Sequence, residues 1–291
     1  MDTHALQAFI AVTQQGSFSA AAEQLFITQP AVSKRIALLE EQLSVRLFDR
    51  IGRQVHLTEA GRALLPRARS ILRDMADAVR EVSNLTGDVS GPLRIGTSHH
   101  IGLHRLPPVL RAFTHSYPQV QLDMHFIDSE EAWEGVLQGD LELGVVTLPP
   151  VPDSRLRSVP VWQDTLVFMA APEHPLAQER EVTLAMLTEY DAILPSPVTF
   201  TRRIVESLFD RHRLTLSISM STNYLETIYM MVSIGLGWSV LPATMLDGAV
   251  RELPVATALP QRQLGYVMHP ARSLSNAAQH FLHELERHNN L

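Results

Sequence analysis

The sequence predicts a chain of two unlike parts: a small, mostly helical head and a larger α/β body of two lobes, with one long helix between them. Three observations carry this reading. Short apolar repeats at helical spacing, broken by turn signals, fill the first 43 residues. Leu64, Ala68, Ile71, Met75, Ala78 and Val82 then recur at alternating four- and three-residue steps, a seam that one helix cannot bury by itself. Beyond residue 90, strand-like and helix-like segments alternate.

Composition allows several modules. The 291 residues are 45% hydrophobic, enough to bury more than one core. No basic start precedes an apolar stretch and no run of about 18 apolar residues occurs, so neither a signal peptide nor a membrane span is predicted. A cytoplasmic location is expected. Cysteine is absent, which excludes disulfides, thiolate nucleophiles and thiol redox sensing. The formal net charge of -7 is unevenly spread: residues 1–88 hold ten Lys/Arg and ten Asp/Glu, so the rest carries the whole excess. Between residues 34 and 73 nine basic residues face only four acidic ones, a local surface suited to phosphate.

In the head, Leu6, Phe9, Ile10 and Val12 fall at helical spacing, and Gly16 is placed to end that helix. Ser17 or Ser19 can cap a second, short helix whose Ala20, Ala21, Ala22, Leu25 and Phe26 pack closely, ending near Phe26. Thr28 precedes Gln29-Pro30, an N-cap followed by a proline in the first turn, where its missing N–H costs nothing. The third helix buries Val32, Ile36, Leu39 and Leu43, leaving Gln29, Ser33, Lys34 and Arg35 largely free near its start. Two such helices describe a helix-turn-helix whose second helix enters the DNA major groove. A plain three-helix bundle would show the same spacing.

The motifs are more specific than the spacing. GSFSAAAEQL, TQPAVSKRIALLEEQL, LFDR and LTEAG succeed one another, and residues 4–61 almost continuously resemble the N-terminal signature of LysR-type transcriptional regulators. The resemblance implies a winged helix-turn-helix. In it, Gln29, Pro30, Ser33 and Lys34 would approach base edges, while Arg50 and Arg53 of the wing would contact the DNA backbone. Ser17 and Thr28, at the starts of the second and third helices, complete the candidate DNA-binding set. Side-chain chemistry agrees, because Gln pairs bidentately with adenine, Lys donates to guanine and arginines suit phosphate oxygens. Lys34 is the only lysine in the chain.

Thr58 is placed to cap the long helix, with Glu59 favourable in its first turn. Pro66 should bend this helix or displace its start. The apolar seam asks for a partner helix, so a dimer reading two half-sites of an imperfect palindrome is expected. The family resemblance extends this to a homotetramer and to RNA polymerase as a further partner. A hinge follows at Thr86-Gly87-Asp88-Val89-Ser90-Gly91-Pro92.

In the body, Leu93–Ile95, a helix near Ile101 to His115, Val120–Ile127, a helix near Glu130 to Gln138 and Leu143–Thr147 follow βαβαβ order, which argues a parallel sheet. A second set includes Thr165–Ala170, Asp191–Leu194, Ile218–Ser221 and Trp238–Leu241. A strand at Gly265–Met268 and a helix from Ser275 to His288 return to the first lobe. Two lobes with crossing connections resemble the periplasmic-binding-protein-like sensor of the same family. The expected domains are therefore 1–58 for the winged helix-turn-helix and 59–89 for the dimerisation helix and hinge. The effector-binding domain spans 90–291, with lobe I about 90–161 and 266–291 and lobe II about 162–265.

Residues 96–101 place Thr97, Ser98, His99 and His100 between a strand and a helix, where free N–H groups and hydroxyls favour a carboxylate or other anion. By position in the family motif, Ser98, His100, Ser129, Thr147, Ser196 and Thr199 are the candidate effector-binding residues. Relatives commonly carry serine or threonine where His100 stands, which suggests a bulkier or more acidic guest and pH dependence near neutrality. The stretch SHHIGLHRLPP resembles that of regulators beside leucine-biosynthesis genes and implies a branched dicarboxylate such as isopropylmalate; aromatic carboxylates and inorganic anions stay open.

His100 and His104 have the i, i+4 spacing that can hold zinc, but no acidic ligand lies nearby in the sequence, so no metal and no cofactor are expected. Gly235 and Gly237 in IGLGWS lack the partners of a nucleotide loop and suit close packing. Asp128, Glu130 and Glu131 suit a helix start rather than acid–base chemistry. No nucleophile, base and orienting acid stand together, so an enzyme is not expected. The sequence reads as a ligand-controlled DNA-binding regulator; a constitutive repressor without a ligand is the alternative.

Overall fold

The computed structural model describes residues 2–51, 54–85 and 87–289. The chain forms two compact units, residues 1–86 and 87–291.

The first unit opens with α1 (Thr3–Gln15), capped by the Asp2 carboxylate and ended by Gly16 in the left-handed region at φ 59°. α2 (Phe18–Gln24) starts on Ser17, whose hydroxyl accepts from the Ala20 N–H. α3 (Gln29–Leu43) follows, then the hairpin of β1 (Phe48–Ile51) and β2 (Gln54–Leu57), and α4 (Glu59–Asn84). Leu6, Phe9, Val12, Ala21, Val32, Ile36, Leu39, Leu47 and Phe48 form the core.

One expectation needs correction here and two are refined. α2 ends at Gln24, and Phe26 does not pack: it is 95% exposed and sits at φ 53°, because the chain reverses there to begin α3. Thr28 occupies the N-cap position of α3, yet its side chain makes no capping bond. α4 starts at Glu59 and runs through Pro66, so the proline does not displace its start. The Thr58 hydroxyl fixes that start by accepting from the Gly61 N–H at 3.0 Å and donating to the Arg46 carbonyl at 2.7 Å. A Cβ at Gly61 would collide with the Leu47 carbonyl oxygen, so this close approach requires glycine.

The apolar seam of α4 divides. Ala68 is buried, and Leu64 and Ile71 pack with it against the head core. Met75, Ala78 and Val82 are exposed, and so are Val79 and Leu85.

In the second unit β3 (Gly91–Thr97), α5 (His99–His104), α6 (Leu106–Ser116), β4 (Val120–Phe126), α7 (Ser129–Gln138) and β5 (Leu143–Thr147) come first. The helix expected from Ile101 to His115 is broken in two, because Pro107 and Pro108 lack the N–H groups that an uninterrupted helix needs and instead open α6. β3 pairs in parallel with both β4 and β5. Next come β6 (Arg157–Ala170), α8 (Leu184–Leu187), β7 (Ala192–Leu194), α9 (Phe200–Arg211), β8 (Ile218–Ser221), α10 (Leu225–Ser233), β9 (Ser239–Pro242) and β10 (Arg251–Glu252). β11 (Gln261–Met268) and α11 (Asn276–Arg287) close the chain.

β6 belongs to both lobes. Its first part pairs antiparallel with β11, its last residues with β9 and β10. The segment expected at Thr165–Ala170 is thus the second half of a longer strand. One core gathers Leu93, Ile95, Phe113, Val145, Phe281 and Leu285; a separate one gathers Phe168, Leu194, Val205, Phe209, Trp238 and Val240. At Gly237 a Cβ would strike the Asp191 carbonyl, the close packing expected of that glycine.

Candidate functional site

The start of α3 presents Gln29, Pro30 and Lys34 as exposed residues, with Ser33 half-buried. Gln29 Nε2 donates to Ser33 Oγ at 2.8 Å, which holds the amide along the helix face. Glu40 was not singled out by its sequence context. Its carboxylate accepts from the Leu47 and Phe48 N–H groups at 2.7 and 3.3 Å and so fixes the angle between α3 and the hairpin. Ser17 Oγ caps α2 by accepting from the Ala20 N–H and keeps its own proton, and Thr28 is exposed with its hydroxyl making no cap bond. Arg50 lies on β1 opposite Val55, and Arg53 falls outside the described residues.

In the second unit a cavity of about 300 Å³ opens between the lobes. Ser98, His100, Ser129, Thr147 and Thr199 line it. Ser196 does not; its N–H donates to Asn223 Oδ1 at 2.9 Å and its carbonyl accepts from the Thr199 hydroxyl at 2.9 Å. The hydroxyls differ in what they have left to offer. Ser98 makes no capping bond. Ser129 Oγ accepts from the buried Thr147 N–H at 3.0 Å, which leaves its own proton for a guest. Thr199 both donates to Ser196 and accepts from the Arg202 N–H, so it caps α9.

Arg262, ion-paired with Asp164, adds buried N–H donors to the wall. It is 4% exposed and lies on β11, with Nε donating to Asp164 Oδ2 at 2.8 Å and Nη1 to Thr201 Oγ1 at 2.9 Å. Nη2 shares that same Asp164 oxygen off line and has no aligned acceptor. The two-residue alternation of β11 could have revealed it, since Arg262 shares the inward face with Leu264.

Four of the polar contacts among the described residues span the lobes around the cavity. Asn223 donates to Asp128, and the Phe200 N–H at the start of α9 donates to the Glu130 carboxylate. His100 Nδ1 and His104 Nε2 lie 3.0 and 3.1 Å from Glu226 Oε1. Asp128 and Glu130 therefore reach across to the second lobe, which corrects their reading as mere helix-start charges. Burial pushes the Glu130 carboxyl up. Burial likewise lowers His100, outweighing its bond to Glu226. For Glu226 burial works upward, but the His100 bond and the other favourable contacts prevail and hold it down to about 2. The acidic neighbour missing from the sequence around the histidines is thus supplied by Glu226, 122 residues beyond His104.

A helix-turn-helix head followed by a two-lobed body with a polar cavity defines a transcription regulator with an effector-binding domain. Residues 3–62 match the model for the bacterial regulatory helix-turn-helix protein, lysR family, and residues 86–290 match the LysR substrate binding domain. The chain belongs to the LysR family of bacterial transcription regulators, which are not enzymes.

The uncharacterized HTH-type transcriptional regulator YeiE of Escherichia coli K12 is 33% identical over 95% of this chain and 94% of its own. An uncharacterized HTH-type transcriptional regulator in the ibpB-leuC intergenic region of Azotobacter vinelandii is 68% identical over 37% of this chain and 75% of its own. A full-length OxyR variant from Pseudomonas aeruginosa, with one cysteine replaced by aspartate, shares the fold with a TM-score of 0.71 at 22% identity, over 100% of this chain and 95% of that one. CbnR in complex with its target DNA gives 0.65 at 23% identity, over 99% and 100%. The effector binding domain of QuiR in complex with shikimate gives 0.62 at 19%, over 69% and 97%. Among the described residues no helix is long and apolar enough to cross a membrane.

Proposed function

We propose that the chain is a cytoplasmic, DNA-bound regulator switched by a small anionic effector held between the two lobes. The observation that carries the anionic reading is Arg262, a buried guanidinium on the cavity wall that is ion-paired with Asp164 yet keeps an Nη2 without an aligned acceptor. Glu130 supports it, since a carboxylate already rests on the first turn of α9. Ser98, His100, Ser129 and Thr147 supply further polar contacts, and Thr199 orders the entrance to α9. The structural relative bound to shikimate, a carboxylate, is consistent with this class. An effector carboxylate competes with Glu130 for α9 and thereby resets the lobe-spanning contacts, so its differential affinity shifts the closure of the lobes.

At the other end, Gln29, Pro30, Ser33 and Lys34 read base edges while Arg50 and Arg53 hold phosphates. Ser17 and Thr28 join them as helix-start contacts. Two copies joined along α4 present two such helices to an imperfect palindrome, and paired dimers form the homotetramer.

A thermal-shift screen of the full-length chain tests the effector reading, with isopropylmalate, aromatic carboxylates and sulfate set against uncharged analogues. One anion should stabilise by about 2.7 kcal/mol at a hundredfold excess over its Kd. His100→Ala and Ser129→Ala should abolish that shift. An uncharged hit, or a hit that ignores both substitutions, would refute the pocket, and the absence of any hit would favour the constitutive repressor.

A further inference from the structure

Three side chains able to ligate a metal converge where α5 meets α10. His100 Nδ1 and His104 Nε2 approach one and the same oxygen, Glu226 Oε1, at 3.0 and 3.1 Å. All three donor atoms lie within 4.8 Å of one another. The imidazoles stand one helical turn apart on α5, with ring centroids 4.6 Å apart. No other trio of this kind occurs among the described residues.

Hydrogen bonding leaves the arrangement incomplete. Both imidazoles crowd Oε1, while Glu226 Oε2 is buried and has no hydrogen-bond partner. A buried carboxylate oxygen without a donor is costly, and a cation placed among the three groups would compensate it.

We propose that His100, His104 and Glu226 bind one divalent transition-metal ion of the zinc type, which ties the two lobes together. Two imidazole nitrogens and one carboxylate oxygen form a donor set that suits zinc, whereas magnesium and calcium prefer all-oxygen sites. Ligands about 2.0–2.1 Å from a tetrahedral zinc stand roughly 3.3 Å apart. The observed 3.0 and 3.1 Å need open by only a few tenths of an ångström, and the two imidazole nitrogens, within 4.8 Å of each other, need close by at most about 1.5 Å. His104 is 48% exposed, which gives the ion an entry path and leaves a fourth position to water. Because His100 also lines the effector cavity, occupancy of the two sites is linked, and whatever moves the lobes changes zinc affinity reciprocally. The metal site stands on its own ligands, whatever the charge of the effector.

Full-length chain stripped with a chelator and dialysed against buffered Zn²⁺ tests the inference. One zinc per chain should be retained, unaffected by excess Mg²⁺, with affinity at least tenfold weaker in His104→Ala and in Glu226→Gln. Co²⁺ in place of zinc should give the intense visible bands of tetrahedral coordination, lost in His104→Ala. His104 is half-exposed and outside the cavity wall, so thermal melts of the metal-free proteins should show this variant folded. Failure to retain one equivalent, or equal retention by both variants through other surface histidines, would overturn the site.

Discussion

Two serines of the cavity look alike in the chain and do different work. Ser129 accepts from the buried Thr147 N–H, so Ser129→Ala strands that donor and should cost about 1–3 kcal/mol in the absence of any ligand. At roughly 2–4 °C per kcal/mol for a domain near 200 residues, the melting temperature should fall by several degrees. Ser98 makes no capping bond, so Ser98→Ala should melt within about 2 °C of the parent while losing effector contact. Paired calorimetric scans of the two variants check this; equal losses would contradict the division of labour. The positions of both serines were legible because each follows a strand and opens a helix. Their hydrogen-bond duties were not, since the Thr147 partner arrives from another strand.

At the scale of elements, α4 shows what a pattern specifies and what it leaves open. The heptad spacing from Leu64 to Val82 marked one apolar face, but its first half is spent on the head's own core, and of the seam Met75, Ala78 and Val82 remain exposed, with Val79 beside them. That remaining face is the proposed seam between copies. Placing charge there by Met75→Glu with Val82→Glu should lower the mass measured by sedimentation below that of the tetramer and weaken DNA binding. An unchanged mass would remove α4 from the interface. The helix following β3 gives the converse lesson: apolar spacing ran unbroken across residues 101–115, whereas Pro107-Pro108 split it. Local stereochemistry outweighed periodicity there.

For the whole molecule, the order of strands and helices gave away the two-part architecture, because each element is written in a few consecutive residues. The cavity was legible only on its strand-to-helix turns. Arg262, Asn223 and Glu226 escaped notice since each meets its partner across nearly a hundred residues or more. Asn223 and Glu226 join lobes whose apolar cores are separate, so under the proposed switch a few polar contacts set the closure that an effector would change. The head carries the locally basic stretch that an overall charge of -7 conceals. In the head Glu40 holds α3 and the hairpin at a fixed angle, and Thr58 fixes the start of α4.

The central claim is sequence-specific DNA binding by this head, and selection of fragmented genomic DNA with the full-length chain, followed by footprinting, tests it most directly. Discrete sites with imperfect two-fold symmetry should be recovered, with Gln29→Ala and Lys34→Ala relaxing the preference at single base positions by about 1–3 kcal/mol. Recovery of all fragments alike, or a preference untouched by both substitutions, would contradict the account.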